Sequence, residues 1–235
     1  MNSDRHTSKQ YDAELEALRS RVLQMGGMVE QQITRAVDSL NTCNLPLIEQ
    51  IIADDHKVNA LEVEMDDLCT HVIVRRQPTA GDLRLIMAVV KTVTDLERIG
   101  DEAEKIARMA KLMCESDRLQ TPRFNEVRRM ADLAVDMVRS ALDAFARLDA
   151  KAATKIARLD LELDDEFRGV LRQLITFMME DPRTISLSLE IVFVSKALER
   201  IGDHARNIAE YVVFLVKGKD VRHTTVEELE REVST

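Results

Sequence analysis

The sequence predicts an all-α protein, a tandem pseudo-symmetric pair of three-helix bundles, on three observations. The 235 residues include no Trp, two Tyr, four Pro and seven Gly, and are rich in Leu, Ala, Glu, Arg, Met and Asp. Strong helix formers dominate and aromatic strand residues are scarce. Apolar residues recur at helical spacing between turn-forming words, with no sustained strand alternation and no strand-then-glycine arrangement to open a phosphate loop. The word "LERIGDEAEKIA" at Leu96 returns as "LERIGDHARNIA" at Leu198, 102 positions later, with nine of twelve residues identical. A long internal repeat in a chain of this length means two similar halves.

The elements follow in order. A disordered start of about ten residues gives way to a helix reaching Leu40, where "NTCNLP" supplies turn formers and a proline. A second helix runs from Pro46 to about Arg76, "RRQPTAGD" turns the chain, and a third runs from about Asp82 to Cys114. After a break at "ESDRLQTPRF" the order repeats: a fourth helix to Arg147, a junction near Asp149, a fifth helix to Met178, the turn "MEDPRT" and a sixth helix from Thr184 to Val216. Residues 1–117 therefore form the first bundle and 118–216 the second. Residues 217–235 form a flexible exit in which "VEELEREV" is one short helix.

A net charge of −9 argues against nucleic acid, whose phosphates call for dense Lys and Arg. Cys43, Cys69 and Cys114 are odd in number, far apart and without ligand spacing, so they read as isolated reduced thiols. The N-terminus has no signal-peptide pattern, and runs such as "YVVFLV" fall far short of the roughly 20 residues a membrane span needs. A soluble cytoplasmic protein without a direct membrane span is expected.

The repeated words carry the candidate sites. At about 100° per residue, Glu97, Asp101, Glu104 and Arg108 fall within about 60° of Leu83, opposite the stripe of Leu96, Ile99, Ala103 and Ile106. Glu199, Asp203, Asn207 and Glu210 repeat that phase on the sixth helix. Upstream, Leu83, Ile86 and Val90, and likewise Ile185, Leu189 and Val192, lie in line with the carboxylates. That alignment predicts a buried helix end, where the bundles meet, running on into a polar face. Gly100 and Gly202 each cost a helix about 0.5–1 kcal/mol relative to Ala, which calls for a compensating close approach by a helix, a ligand or a polar cluster.

Two readings of the acidic pairs stay open. Arg98 and Arg200 neutralise them across a helix interface, or a hard or borderline cation bridges several carboxylates. Asp55, Asn59, Glu62 and Asp66 on the second helix, and Asp160 with Asp164 on the fifth, occupy comparable positions and favour the cation. The candidate sets are Asp55, Asn59, Glu97 and Asp101 in one half, and Asp160, Asp164, Glu199 and Asp203 in the other. His204, beside Asp203 but off its line, is a peripheral ligand, a partner for an acidic group, or surface. No Glu-x-x-His or His-Glu-x-x-His motif occurs, and no nucleophile stands next to a clear base, so an enzyme is not expected.

The paired "LERIGD" words, with "RRQPTAGDLR" from Arg75, "DPRTIS" from Asp181 and "GDHARNIAE" from Gly202, resemble the PhoU family of phosphate-signalling regulators over nearly the whole chain. The resemblance implies two three-helix bundles. It also implies a multinuclear iron or other divalent transition-metal cluster on Glu/Asp-x-x-x-Asp motifs, matched here by Glu97 with Asp101, Glu199 with Asp203 and Asp160 with Asp164. Asp55 with Asn59 departs from the fully acidic form. The implied role is non-enzymatic: negative regulation of phosphate uptake and of the phosphate-starvation response. The implied partners are the ATPase of the phosphate ABC transporter and a PhoR-like sensor histidine kinase, met at an inner-membrane transporter–kinase complex. Family analogy and a large helical surface point to a homodimer. The alternative reading is a metal-buffering helical protein with no direct role in phosphate signalling.

Overall fold

The computed structural model describes residues 9–115, 125–222 and 224–234. Seven α-helices account for nearly all of them: α1 (Lys9–Thr42), α2 (Leu45–Arg76), α3 (Ala80–Glu115), α4 (Asn125–Arg147), α5 (Ala152–Glu180), α6 (Ile185–Lys217) and α7 (Val226–Ser234). A 3-10 turn, Pro182–Thr184, joins α5 to α6. The expected disordered start and the break at "ESDRLQTPRF" fall largely on residues 1–8 and 116–124, outside the described residues.

Local chemistry sets the ends. Asn44 caps α2, its side chain accepting from the Leu47 amide at 3.2 Å, and Pro46 occupies the first turn, where no amide is needed. Gln77 closes α2 in the left-handed conformation (φ 47°) and Pro78 follows; Gly218 (φ 71°) closes α6. Asp181 accepts from the Arg183 amide and so nucleates the 3-10 turn.

Each half is an up-down-up bundle whose core follows the helical period. Val22, Met25, Val29, Ile33 and Ala36 of α1 are fully buried, as are Met130, Ala134, Met137, Val138, Ala141 and Phe145 of α4. The halves join chiefly through α3 and α6, the most extensively packed pair, with α1 against α4 beside them. Cross-contacts show that α3 and α6 run antiparallel. Lys91 lies over the Tyr211 and Phe214 rings at 5.4 and 5.8 Å, Asp95 meets His204, and Glu102 meets Arg200.

The reading of all three cysteines as isolated thiols is corrected at one pair. Cys43 and Cys114 are disulfide-bonded, with Cα atoms 5.5 Å apart. They are 71 positions apart in sequence, but the up-down-up path makes α1 and α3 parallel and brings their C-terminal ends together. Cys69 is free and buried, and burial pushes its thiol up to about 12.

Candidate functional site: two acidic helix-hairpin faces

In the first bundle α2 and α3 bring the predicted residues onto one hairpin face. Asp55 is buried, Asn59, Glu97 and Asp101 are half-buried, and Glu62 joins them. Withdrawal from water raises the Glu97 pKa, and the charges of Asp101, Glu62 and Asp55 raise it further. Asp101 is raised by the same withdrawal and then by Asp55. Asp55 is held by amides: Gln32 Nε2 of α1 donates at 3.0 Å and Asn59 Nδ2 at 3.4 Å.

In the second bundle α5 and α6 do the same with different partners. Partial burial, then the Glu199 and Asp160 charges, push Asp203 up to about 6. Asp160 is buried and raised by burial although Arg206 Nη1 donates to it at 2.9 Å. The Arg206 Nε also donates to buried Glu210 at 3.0 Å, and Lys196 donates to both Glu199 oxygens at 2.5 Å. Arg168 stands 3.8 Å from Asp164.

These partners overturn the expected metal cluster. Among the described residues no group of three or more His, Cys, Asp or Glu side chains converges to hold an ion. The angular phase put the carboxylates on common faces, but amides and cations from neighbouring turns and helices occupy the oxygens a metal would need. Gln32 and Asn59 serve Asp55; Arg206 serves Asp160 and Lys196 serves Glu199. The residues do not fit a multinuclear cluster, and the metal-buffering alternative loses its structural basis.

The other predicted residues find structural places. Arg200 pairs with buried Glu102 of α3 at 3.1 Å rather than with an acidic pair, and Arg98 is exposed. His204 is buried, with Nδ1 2.7 Å from Asp95 Oδ1, and Asn207 Nδ2 donates to the same oxygen at 3.2 Å. It is thus a partner for an acidic group, but one on the other bundle.

Packing requires the second glycine but not the first. A Cβ at Gly100 would stand 3.4 Å from Asp55 Oδ1, Gln32 Oε1 and Val58 Cγ1, and one at Gly202 would run into Leu163. Sequence reasoning missed Arg206, Gln32, Asp95 and Glu102. The only signal for Arg206 was its spacing four residues before Glu210.

The predicted buried helix end is half right. Ile86 is fully buried, but Leu83, Ile185 and Leu189 are 40%, 42% and 45% exposed, and Phe193 is 60% exposed. The apolar stripe upstream of each acidic pair therefore continues the solvent-facing surface of its hairpin.

Comparisons with known proteins match this architecture. The PhoU domain family model matches residues 22–110 and again 127–212, one match per bundle. The chain is 49% identical over 229 residues to the phosphate-specific transport system accessory protein PhoU homolog of Pseudomonas putida, covering 97% of this chain and 89% of that protein. It is 42% identical over 231 residues to the corresponding PhoU of Escherichia coli K12, covering 98% and 95%. The crystal structure of PhoU from Pseudomonas aeruginosa superposes with a TM-score of 0.85 at 48% identity, covering 89% of this chain and all of that one. The phosphate transport system regulatory protein PhoU of Streptococcus pneumoniae gives 0.83 at 26% identity, covering 90% and 99%.

Proposed function

This chain belongs to the PhoU family, and from that membership we propose that it is a non-enzymatic regulator of phosphate homeostasis. It restrains phosphate uptake and phosphate-starvation signalling by contacting the ATPase of a phosphate ABC transporter and a PhoR-like sensor kinase at the cytoplasmic face of the membrane. The observation that supports this best is the chain-long similarity to proteins named as accessory and regulatory components of phosphate transport. No helix among the described residues is long and apolar enough to cross a membrane, so an encounter with membrane partners would be peripheral.

The physical means would be surface coupling. Across the α3–α6 seam the Arg200–Glu102 ion pair and the His204–Asp95 hydrogen bond tie two hairpin faces into one body. A regulator that binds one partner conformation more tightly than another shifts that partner's equilibrium by the difference in affinity. The faces carrying Glu97 and Asp101, and Glu199 and Asp203, would meet basic partner surfaces.

The test is a phosphate-starvation reporter in cells grown with ample phosphate. Removing the protein is expected to switch the reporter on, and substituting both acidic pairs to switch it on partially while the protein stays folded. Tagged protein is expected to recover the transporter ATPase and the kinase. A reporter that stays off after removal, with neither partner recovered, would refute the reading.

A further inference from the structure

We propose that the α5–α6 face is a docking groove for one amphipathic partner helix of about 18 residues, apolar at one end and rich in Lys or Arg at the other. This inference rests on the regulatory reading above and names which face is used and what it accepts.

The face has two chemistries in line. At the hairpin tip Ile175 and Met179 of α5 and Ile185, Leu189 and Phe193 of α6 are 42–80% exposed. Five large apolar side chains this open on one hairpin end form a patch of the kind that marks interaction sites. Further along, Asp160 and Asp164 of α5 lie opposite Glu199 and Asp203 of α6, close enough to raise the Asp203 pKa. Lys196 over the Phe167 ring, at 5.5 Å, marks the changeover. Ile185 and Asp203 are in phase, five helical turns apart, so one straight line along α6 passes from an apolar to an acidic side chain over about 27 Å, with Leu189 about 40° and Phe193 about 80° to one side of it.

Charge selects the occupant. Among the described residues no ion pair reaches Asp203, whereas Glu199 and Asp160 have their own cations. A further positive charge at that end therefore meets an uncompensated carboxylate. A second copy would fit less well. A symmetric pairing through this face brings the same groups together, and a chain of net charge −9 would set acidic ends near one another.

The α2–α3 face is the internal control. Seven, eleven and fifteen residues after Asp55 stand Glu62, Asp66 and Thr70, whereas the same spacings after Asp160 give Phe167, Leu171 and Ile175. On α3 the residue matching Phe193 is Lys91, which is turned onto the Tyr211 and Phe214 rings. The first face has open apolar side chains on α3 alone, Leu83 and Met87, set against acidic and polar residues of α2; the second has them on both of its helices.

The experiment is calorimetric titration of the full-length protein against the intact PhoR-like kinase and the intact transporter, each in nanodiscs, at low and high salt. Leu189→Ser with Phe193→Ser is expected to weaken binding about tenfold or more, the loss typical of central apolar anchors. Asp203→Lys is expected to weaken binding and flatten its salt dependence. Leu83→Ser with Met87→Ser is expected to change it less than about twofold, the range of peripheral contacts. Circular dichroism melts check folding, and the conservative Phe193→Tyr is expected to keep binding. Wild type binding with the Leu189/Phe193 variant equally tight would overturn the inference and leave the regulatory reading standing. So would a variant that merely turns a dimer into a monomer with partner binding intact. Wild type binding neither partner would overturn the regulatory reading itself.

Discussion

The two bundles share a path but protect their carboxylates differently. In the first, Asp55 is held by neutral amides from Gln32 and Asn59. In the second, Asp160 and Glu210 share the guanidinium of Arg206. The ends differ as well. The residue that follows α1 is Cys43, with φ 44°, and it is joined to Cys114 near the end of α3; the residue that follows α4 is Leu148, with φ 54°, and no covalent tie holds it. A duplicated fold keeps backbone geometry while its cross-links are replaced, so each bundle's stability depends on different conditions.

The largest expected effect separates the bundles by redox state. A disulfide closing a loop of 71 residues restricts the unfolded chain by about 4 kcal/mol. Urea unfolding with and without dithiothreitol should show that loss, with hydrogen exchange accelerated in α1–α3 and little changed in α4–α6. Cys43→Ser should reproduce the reduced state and become insensitive to reductant.

Next comes the contrast between charge and amide. Arg206→Met leaves two buried carboxylates without their shared cation, and we expect a loss of about 3 kcal/mol, the low end for breaking a buried pair because the guanidinium keeps some contact with water. Gln32→Leu removes one of the two amide donors to Asp55 and should cost about 1–2 kcal/mol. Denaturant melts of the two variants check the order. An equal loss would mean that Arg206 contributes no more than a neutral donor.

The helices and their order were legible because each boundary is written locally, as in Asn44-Leu45-Pro46, Gln77-Pro78 and Gly218. The acidic faces were legible too, since Glu97 with Asp101 and Glu199 with Asp203 need only the helical period. What stood opposite them was not. Gln32 is 23 positions from Asp55 and Arg206 is 46 from Asp160, so their pairing depends on how helices dock rather than on any one helix. The metal expectation failed at that level: phase gathers carboxylates but is silent about cations arriving from neighbours. His204 is similar, since its phase off the carboxylate line became meaningful only once α6 met Asp95 of the other bundle. Cys43 and Cys114 needed the parallel placement of α1 and α3.

A smaller effect distinguishes the two helical glycines. Gly100→Ala meets its neighbours at 3.4 Å, ordinary contact, so the helix-propensity gain should appear as about 0.5 kcal/mol of added stability. Gly202→Ala must displace fully packed Leu163; overpacking of about 1–3 kcal/mol outweighs the same gain, for a net loss of about 1 kcal/mol. Thermal melts of both variants with opposite signs would support close packing as the reason for the second glycine alone.

The smallest expected effect is a pH dependence centred on Asp203. Its folded-state pKa is about 6, against an ordinary 3.8, because partial burial and the Glu199 and Asp160 charges disfavour the anion. Between those values the folded protein holds more protons than the unfolded chain, so this group makes stability fall as pH rises from about 4 to about 6, with the penalty complete above 6. Although packing against its neighbours removes part of its hydration, Asp203 keeps contact with water, and solvent screening holds the penalty below about 1 kcal/mol. Asp203→Asn should therefore stabilise the protein at pH 7, more so at low salt, and the gain should disappear near pH 4. The matching Asp101→Asn in the first bundle should act with the same sign, since Asp101 is also raised. Parallel urea melts across that pH range would decide it: a gain at pH 7 that persists unchanged at pH 4 would show that the Asn side chain acts through packing, not through relief of the charge that crowds this face.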